Sequence, residues 1–495
     1  MSNILGISAG FHDASVSLIS NTGEILFAGH SERYSKQKND ENINLDLLTD
    51  AERYGTIDRV AYYERPVLKQ LRQLYSGQGI EWRKLSVSRL LDDQLKTNYI
   101  WPKISTHGHH QSHAAAGFQT SPFDDATVVV IDAIGEWDTV SIWYAYYDRS
   151  GQAVYEKKWS QRYPHSIGLF YSAMTDRVGL KPNEEEYILM GMSAYGKTSF
   201  HNKIINDLVY DEYDIKFSQN MHAGIDAGYL SHVDEMDLAL TAQVTVERLI
   251  YNVMHRARAM KLSNNLVYMG GVALNCSANK ELGDYFENIW IMPNPGDAGS
   301  SLGAAALAYG SRLHWRSPYL GYNIPGAYPI GDLLDCLLRD RMVGVASGRA
   351  EFGPRALGNR SLLADPRGDD IKDLVNSIKR RQKFRPFAPV ILEELAEEYF
   401  EMPKGWQTSP YMQTVARCRR PELFPAIIHA DGTSRVQTVA KDSGSGIREL
   451  LEKWYIWTGC PMLLNTSLNI RGEPMVNDRA DADRFEKLYG VKVCS

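Results

Sequence analysis

Apolar and polar positions repeat along this chain with two periods, and each change of period marks an element. Near the start, Ile4-Leu5-Gly6-Ile7 reads as a buried strand, Ser8-Ala9-Gly10-Phe11-His12-Asp13 as a turn, and Ala14-Ser15-Val16-Ser17-Leu18-Ile19 as a second strand. The unit recurs: Val128-Val129-Val130-Ile131 is strand-like, Asp132-Ala133-Ile134-Gly135-Glu136-Trp137 is a turn, and Thr139 to Tyr147 alternates as a strand does. Two such units predict an internal duplication. Residues 166–260 carry a mainly helical pattern. Leu266-Val267-Tyr268-Met269 is a buried strand that runs into Gly270-Gly271, and the small, apolar run from Ser300 to Tyr309 has the composition of a tightly packed helix. Pro318, Gly321, Pro325, Gly326 and Pro329 then punctuate residues 313–330 as a linker would. The pattern therefore divides the chain into domains at 1–320 and 335–495, the second mixing strands and helices.

Composition narrows the classes. A hydrophobic fraction of 44% and a charged fraction of 23% over 495 residues are those of a globular protein, so long disordered stretches are not expected. A net charge of −6 argues against nucleic-acid binding, which needs a clustered positive field, while leaving room for a local phosphate site. No uncharged run approaches the roughly 20 residues that cross a bilayer, and Met1 to Gly6 have no signal-peptide pattern. The five cysteines, Cys276, Cys336, Cys418, Cys460 and Cys494, are scattered without a CxxC pair. Reduced thiols in a cytoplasmic protein with no membrane partner are expected. Nothing in the composition decides for or against a homo-oligomer.

Four groups of residues carry candidate chemistry. In His109-His110-Gln111-Ser112-His113, positions i and i+4 share a helical face, so His109 and His113 can converge on one metal, or they are two solvated or hydrogen-bonded histidines. Asp132, after a buried strand, and Asp297, in a glycine-rich turn, can complete the shell. Two imidazoles and two carboxylates suit Fe(II), Zn or Mn alike. The hairpin from Gly6 to Asp13 offers backbone N–H groups to an anion around Gly10, and His12 at its tip is a candidate general base; an ordinary turn with a surface histidine is the alternative. Gly270-Gly271-Val272-Ala273-Leu274-Asn275 and Pro295 to Gly303 are glycine-rich loops, and neither matches a Walker A loop or a dinucleotide fingerprint. The last group is basic: Arg349, Arg355 and Arg360, then Lys379, Arg380, Arg381, Lys383 and Arg385, set among Gly, Pro and Phe. Guanidinium groups grip phosphate bidentately, so an acid-phosphate or nucleotide pocket is expected.

These motifs in this order resemble the O-carbamoyltransferase family of nodulation-factor and antibiotic-tailoring pathways. The likeness rests on the His12 hairpin, Glu32-Arg33 with Lys38, His109 to His113, Met190 to Gly196, Gly270 to Asn275 and the Asp297 loop. In the second half it rests on Glu351 to Arg360, Phe384 to Pro389, His429 with Asp431 to Gln437, and Asn465 to Asn469. The resemblance implies an α/β protein. Its N-terminal domain would have the actin-like ATPase (ASKHA) fold, and its C-terminal domain would resemble threonylcarbamoyl-adenylate synthase (YrdC-like). It implies that the second domain makes carbamoyl-adenylate from carbamoyl phosphate and ATP with Mg, using Arg355, Lys379, Arg385, Arg435, Asn465 and Ser467. It implies that the first domain holds the adenylate at Gly10, Lys38, Gly270, Gly271, Asn275 and Gly303. There the carbamoyl group passes to a hydroxyl beside an iron held by His109, His113, Asp132 and Asp297, with His12 catalytic. Ile188 and Met192-Ser193-Ala194 depart from the family pattern and leave the acceptor open among a sugar, a nucleoside and another small molecule. Two other readings share the first fold: a threonylcarbamoyl-type tRNA-modifying enzyme, against which the net charge of −6 stands, and a sugar kinase or other actin-fold ATPase, which leaves the second domain unexplained.

Overall fold

The structure is a computed structural model that describes residues 2–97 and 99–495. The chain divides into two compact units, one comprising the residues up to Ser35, Asn39–Ala278 and Leu282–Arg316, the other Lys36–Lys38, Asn279–Glu281 and Ser317–Ser495.

The first unit contains two five-stranded sheets built to one plan. In the first, β1 (Ile4–Ser8), β2 (Ser15–Ile19) and β3 (Ile25–His30) form an antiparallel meander, and β4 (Arg59–Tyr62) and β5 (Ile104–Thr106) add in parallel on the far side of β1, giving the order β3-β2-β1-β4-β5. In the second, β6 (Asp125–Gly135), β7 (Asp138–Tyr147) and β8 (Ala153–Arg162) form the meander. A short hairpin of β9 (Val209–Asp211) and β10 (Lys216–Phe217) stands apart, and β11 (Asn265–Met269) and β12 (Asn288–Trp290) complete the sheet as β12-β11-β6-β7-β8. The two hairpins read from the apolar pattern are thus the central strands of two equivalent sheets. β1 and β2 are buried at every position; β1 reads as an apolar run for that reason, while the buried Ser15 and Ser17 of β2 hydrogen-bond to Ser301.

The helix Ser300–Tyr309 packs on β1 and β2, and the helix His109–Phe118 packs on it and on β6 and β11. Small residues set their spacing. A Cβ built on Gly303 would stand 1.8 Å from the carbonyl oxygen of Ser112, so the two helices touch backbone to backbone there.

The second unit is built on a mixed six-stranded sheet of β14 (Met342–Ala346), β16 (Arg360–Ala364), β17 (Ala388–Leu392), β21 (Gln437–Val439), β22 (Met462–Ser467) and β23 (Val493–Cys494), in the order β21-β17-β22-β16-β14-β23. Leu333 and Leu337 of the helix Ile330–Asp340 and Trp454 of the helix Gly446–Thr458 fill its core. A three-stranded sheet of β18 (Phe400–Glu401), β19 (Val415–Cys418) and β20 (Thr433–Arg435) stands beside it. The segment 313–330 is not all linker. Its middle forms β13 (Tyr319–Ile324), paired antiparallel with β15 (Gly348–Glu351), and Pro318 and Pro325 bound the strand where no ladder N–H is needed. No helix among the described residues is long and apolar enough to cross a membrane.

Candidate functional site

In the first unit, four side chains converge from three elements. His109 and His113 lie one turn apart on the helix His109–Phe118, Asp132 lies near the end of β6, and Asp297 opens the turn Asp297–Gly299 that enters the helix Ser300–Tyr309. Between Ile131 and Gly135 the pairing of β6 with β7 slips, and this irregularity frees Asp132 from the regular ladder; the strand therefore runs past Asp132, where a turn was expected. The Gly271 N–H donates to Asp132 Oδ1 at 3.2 Å and leaves Oδ2 to face the histidines.

All four donor atoms lie within 4.8 Å of one another and are buried. His109 Nε2 is 3.1 Å from Asp132 Oδ2, 3.2 Å from Asp297 Oδ1 and 3.2 Å from His113 Nε2, and His113 Nε2 is 3.2 Å from Asp297 Oδ1 and 3.6 Å from Asp132 Oδ2. Four donors placed tetrahedrally about 2.1 Å from a cation stand about 3.4 Å apart, so the set has the dimensions of a first-row metal site. The protons agree. The His113 Nδ1–H donates to the Pro295 carbonyl at 3.1 Å, which leaves Nε2 as the lone-pair nitrogen of the neutral ring. Two imidazole nitrogens 3.2 Å apart cannot both direct protons into the same space. A divalent cation lets both offer lone pairs and balances the two carboxylates. Without one, burial opposes charge on every member, yet mutual attraction prevails: both imidazoles are held above their usual range and both carboxylates below theirs.

His12 sits in the β1–β2 loop with its side chain 29% exposed, Nδ1 3.1 Å from Asp13 Oδ2 and Nε2 3.8 Å from Asp297 Oδ2. Burial pulls its pKa down, but the bond to Asp13 and the charges of Asp297 and Asp132 outweigh it and hold the pKa at about 9. A divalent cation at Asp132 and Asp297 would offset their share of that negative field and leave the bond to Asp13.

The glycines expected to cradle an adenylate have nearer partners. The Gly10 N–H donates to Glu41 O at 2.8 Å, and the Gly270 N–H to Pro295 O at 2.9 Å. Gly270 has φ 93°, and a Cβ there would lie 2.1 Å from Ile131 O, so only glycine fits. Gly271 holds Asp132, and Gly303 is the helix contact described above. Asn275 is buried, its amide exchanging hydrogen bonds with Gln243 at 2.9 and 3.1 Å and accepting from the Ala278 N–H. Lys38 is exposed and groups with the second unit.

In the second unit, Lys379 follows the helix Asp370–Ile378 and is buried. Its ammonium donates to Ser467 O, to Ser467 Oγ at 3.2 Å, and to Asn469 O and Oδ1, each at 3.0 Å. All four acceptors are neutral. Burial, with Arg381 and Arg385 adding like charge, pushes the lysine pKa well below its usual range. Asn465 and Ser467 share one face of β22. Asn465 Nδ2 donates to Ala356 O and Gln437 Oε1, while its Oδ1 and the Nε of Arg435, at the end of β20, are buried without a hydrogen-bond partner among the described residues. Arg355 and Arg385 are half-buried.

Two arginines of the basic group do other work. Arg360 is fully buried and donates to the carbonyls of Asn477, Ser347, Asn359, Tyr322 and Gly348 at 2.8–3.1 Å, and Arg349 donates to Leu320 O and Gly321 O. Five carbonyls match the five N–H groups of a guanidinium, so Arg360 clamps backbone and offers nothing to a phosphate. Sequence reasoning passed over Asn469 and Gln437, although both lie within motifs it had marked.

The sequence has counterparts among known proteins over most of its length. Residues 63–306 match the family model of the carbamoyltransferase N-terminus, and residues 334–493 that of the carbamoyltransferase C-terminus. The chain belongs to the carbamoyltransferase family. As such it is a transferase enzyme. This carbamoyltransferase is 33% identical to the uncharacterised protein sll1178 of Synechocystis over 98% of its own length and 94% of that protein's. It is 30% identical to nodulation protein NolNO of Sinorhizobium fredii over 95% of this chain and 76% of that one. It is also 36% identical to nodulation protein U of Azorhizobium caulinodans over 52% and 49% of the two chains.

Proposed function

We propose that this carbamoyltransferase is ATP-dependent and acts on a hydroxyl, making carbamoyl-adenylate in its second unit and transferring the carbamoyl group in its first. In the second unit, water converts carbamoyl phosphate to carbamate and phosphate. A carbamate oxygen then attacks the α-phosphorus of Mg-bound ATP and expels pyrophosphate. In the first unit, the acceptor hydroxyl attacks the carbamoyl carbon of the adenylate, the carbamate ester forms, and AMP leaves. The acceptor is a sugar, nucleoside or other small molecule. The first unit is read as an actin-like ATPase fold because two equivalent sheets repeat one strand order, and the second as the YrdC-like partner that the family resemblance implies.

Lys379 carries the division of labour. Its N–H groups are bonded to neutral acceptors, but its charge has no counter-charge in that contact set, and Arg381 and Arg385 add like charge beside it, so an arriving anion would be drawn there. Arg435, Asn465, Ser467, Arg355 and Arg385 stand with it as the phosphate-handling set, since charge-assisted bonds from several fixed donors are what a phosphate dianion requires.

In the first unit, His109, His113, Asp132 and Asp297 would hold Fe(II), with Zn or Mn as alternatives. The bound ion would supply Lewis acidity and lower the negative potential around His12. His12, partly exposed on the β1–β2 loop, takes the proton of the attacking hydroxyl. Gly271 orients Asp132 and Pro295 orients His113, so the donor atoms are held before any ligand binds. The test is to incubate the enzyme with ATP, Mg, labelled carbamoyl phosphate and a panel of sugars and nucleosides, and to follow pyrophosphate, AMP and carbamoylated products by mass spectrometry. Pyrophosphate and AMP in equal amounts, with label on a hydroxyl, is the expected result. Labelled product formed without ATP would overturn the adenylate route.

A further inference from the structure

Around the His/Asp cluster the two histidines are supported unequally on their outer sides. His113 turns Nε2 inward and donates its outer N–H to Pro295 O at 3.1 Å. His109 also turns Nε2 inward, at 3.1 Å from Asp132 and 3.2 Å from Asp297. For His109 to present a lone pair there, its proton must sit on Nδ1, which is buried without a hydrogen bond among the described residues. A buried N–H without an acceptor costs about 1–3 kcal/mol. A carboxylate stands next to it: Glu64 Oε2 is 3.7 Å from His109 Nδ1, longer than a hydrogen bond and short of a water's width.

Glu64 lies between the end of β4 and the helix Pro66–Tyr75 and is 4% exposed. Its other oxygen, Oε1, accepts from Lys69 Nζ at 2.7 Å, and Lys69 also donates to Gly10 O at 3.3 Å, in the loop that carries His12. A buried carboxylate is thus held by one oxygen and left with the other directed at the outer nitrogen of a metal-ligating histidine. We propose that Glu64 is the positioning residue of this centre: it accepts the Nδ1–H of His109, fixes the tautomer that turns Nε2 inward, and strengthens that nitrogen as a ligand. The inference rests on the reading of the His/Asp cluster as a divalent-metal site. Removing a carboxylate from this position weakens metal affinity by roughly 10–100-fold in metalloenzymes generally.

The test uses the full-length, metal-stripped protein titrated with Co(II), whose visible absorption reports both occupancy and ligand geometry. Wild type, H109A, E64Q and E64D are compared, with thermal unfolding of each metal-free protein recorded alongside. Glu64→Gln keeps the shape and removes the charge. Glu64→Asp keeps the charge for Lys69 but is one methylene too short to reach His109, so it serves if the glutamine variant fails to fold. The expected result is a Co(II) Kd raised about 10–100-fold in Glu64→Gln and in Glu64→Asp, with an altered absorption band in both. Wild-type Kd and spectrum in the folded Glu64 variants, with binding lost in His109→Ala, would show Glu64 to be only the ion-pair partner of Lys69. No Co(II) binding by wild type, or equal binding by His109→Ala, would remove the metal site itself and the inference with it.

Discussion

Lys379 and Arg360 show that two buried cations can have opposite meanings. Arg360 finds five carbonyls and is complete within the fold. Lys379 likewise meets neutral acceptors, but it is buried beside Arg381 and Arg385, which repel it, and this leaves a signature in stability. An unfolded lysine titrates near pH 10.4, roughly, and the folded pKa here lies below that. Between the two values the unfolded chain binds the extra proton, so the contribution of Lys379 to stability is fully present above the unfolded pKa and is lost as pH falls through the folded one. Thermal unfolding from about pH 7 to about pH 10 should show wild type gaining on Lys379→Met as pH rises, and saturating inorganic phosphate should flatten the difference by keeping the proton in place. Parallel curves would mean that Lys379 is not a strained cation. Asp297→Ala is the matching change in the first unit. It should leave protein loaded with Fe(II) and then desalted with little bound iron by mass spectrometry, whereas full occupancy would exclude Asp297 as a ligand.

At this scale the sequence was legible where spacing carries geometry. His109 and His113 are one helical turn apart, and Asp132 and Asp297 border a strand and a glycine turn. Arg360 could not be told from a phosphate ligand, because residue type does not reveal whether a guanidinium meets carbonyls or an anion. The contact of Glu64 with His109 spans 45 residues with no local signal.

Among the elements, the helix Ser300–Tyr309 does the most to build the centre. It packs on β1 and β2, lies against the helix that carries both histidines, and begins just after Asp297. Gly303 sets its distance from His109–Phe118. Gly303→Ala forces a methyl to within 1.8 Å of Ser112 O unless the helices separate. Overpacking of this kind costs about 1–3 kcal/mol. The variant should therefore unfold at lower temperature and bind Co(II) more weakly, because His113 and Asp297 move apart together; unchanged values in both measurements would show that the helices part without strain. A glycine in a small, apolar helix reads equally well as ligand approach or as packing, and its place at the adenylate is what the family resemblance implies. The hairpins β1–β2 and β6–β7 were legible because apolar residues recur along their strands, although β6 continues to Gly135, through most of the segment read as a turn. The three-residue strands β5 and β12 were not, since neither is long enough to show a period.

For the whole molecule, the proposed function assigns one chain two kinds of site: a phosphate-handling set in the second unit and a histidine–carboxylate centre in the first. Variants should separate the steps. Lys379→Met should abolish pyrophosphate release from ATP and carbamoyl phosphate yet still transfer from supplied carbamoyl-adenylate. His12→Asn should do the reverse, releasing pyrophosphate and losing transfer by a factor of roughly 100 to 10,000, the usual contribution of a general base. The decisive measurement is both half-reactions on purified His12→Asn in one preparation. Pyrophosphate release near the wild-type rate with transfer from supplied carbamoyl-adenylate collapsed is the result expected; pyrophosphate release abolished with transfer intact would contradict the division of labour outright.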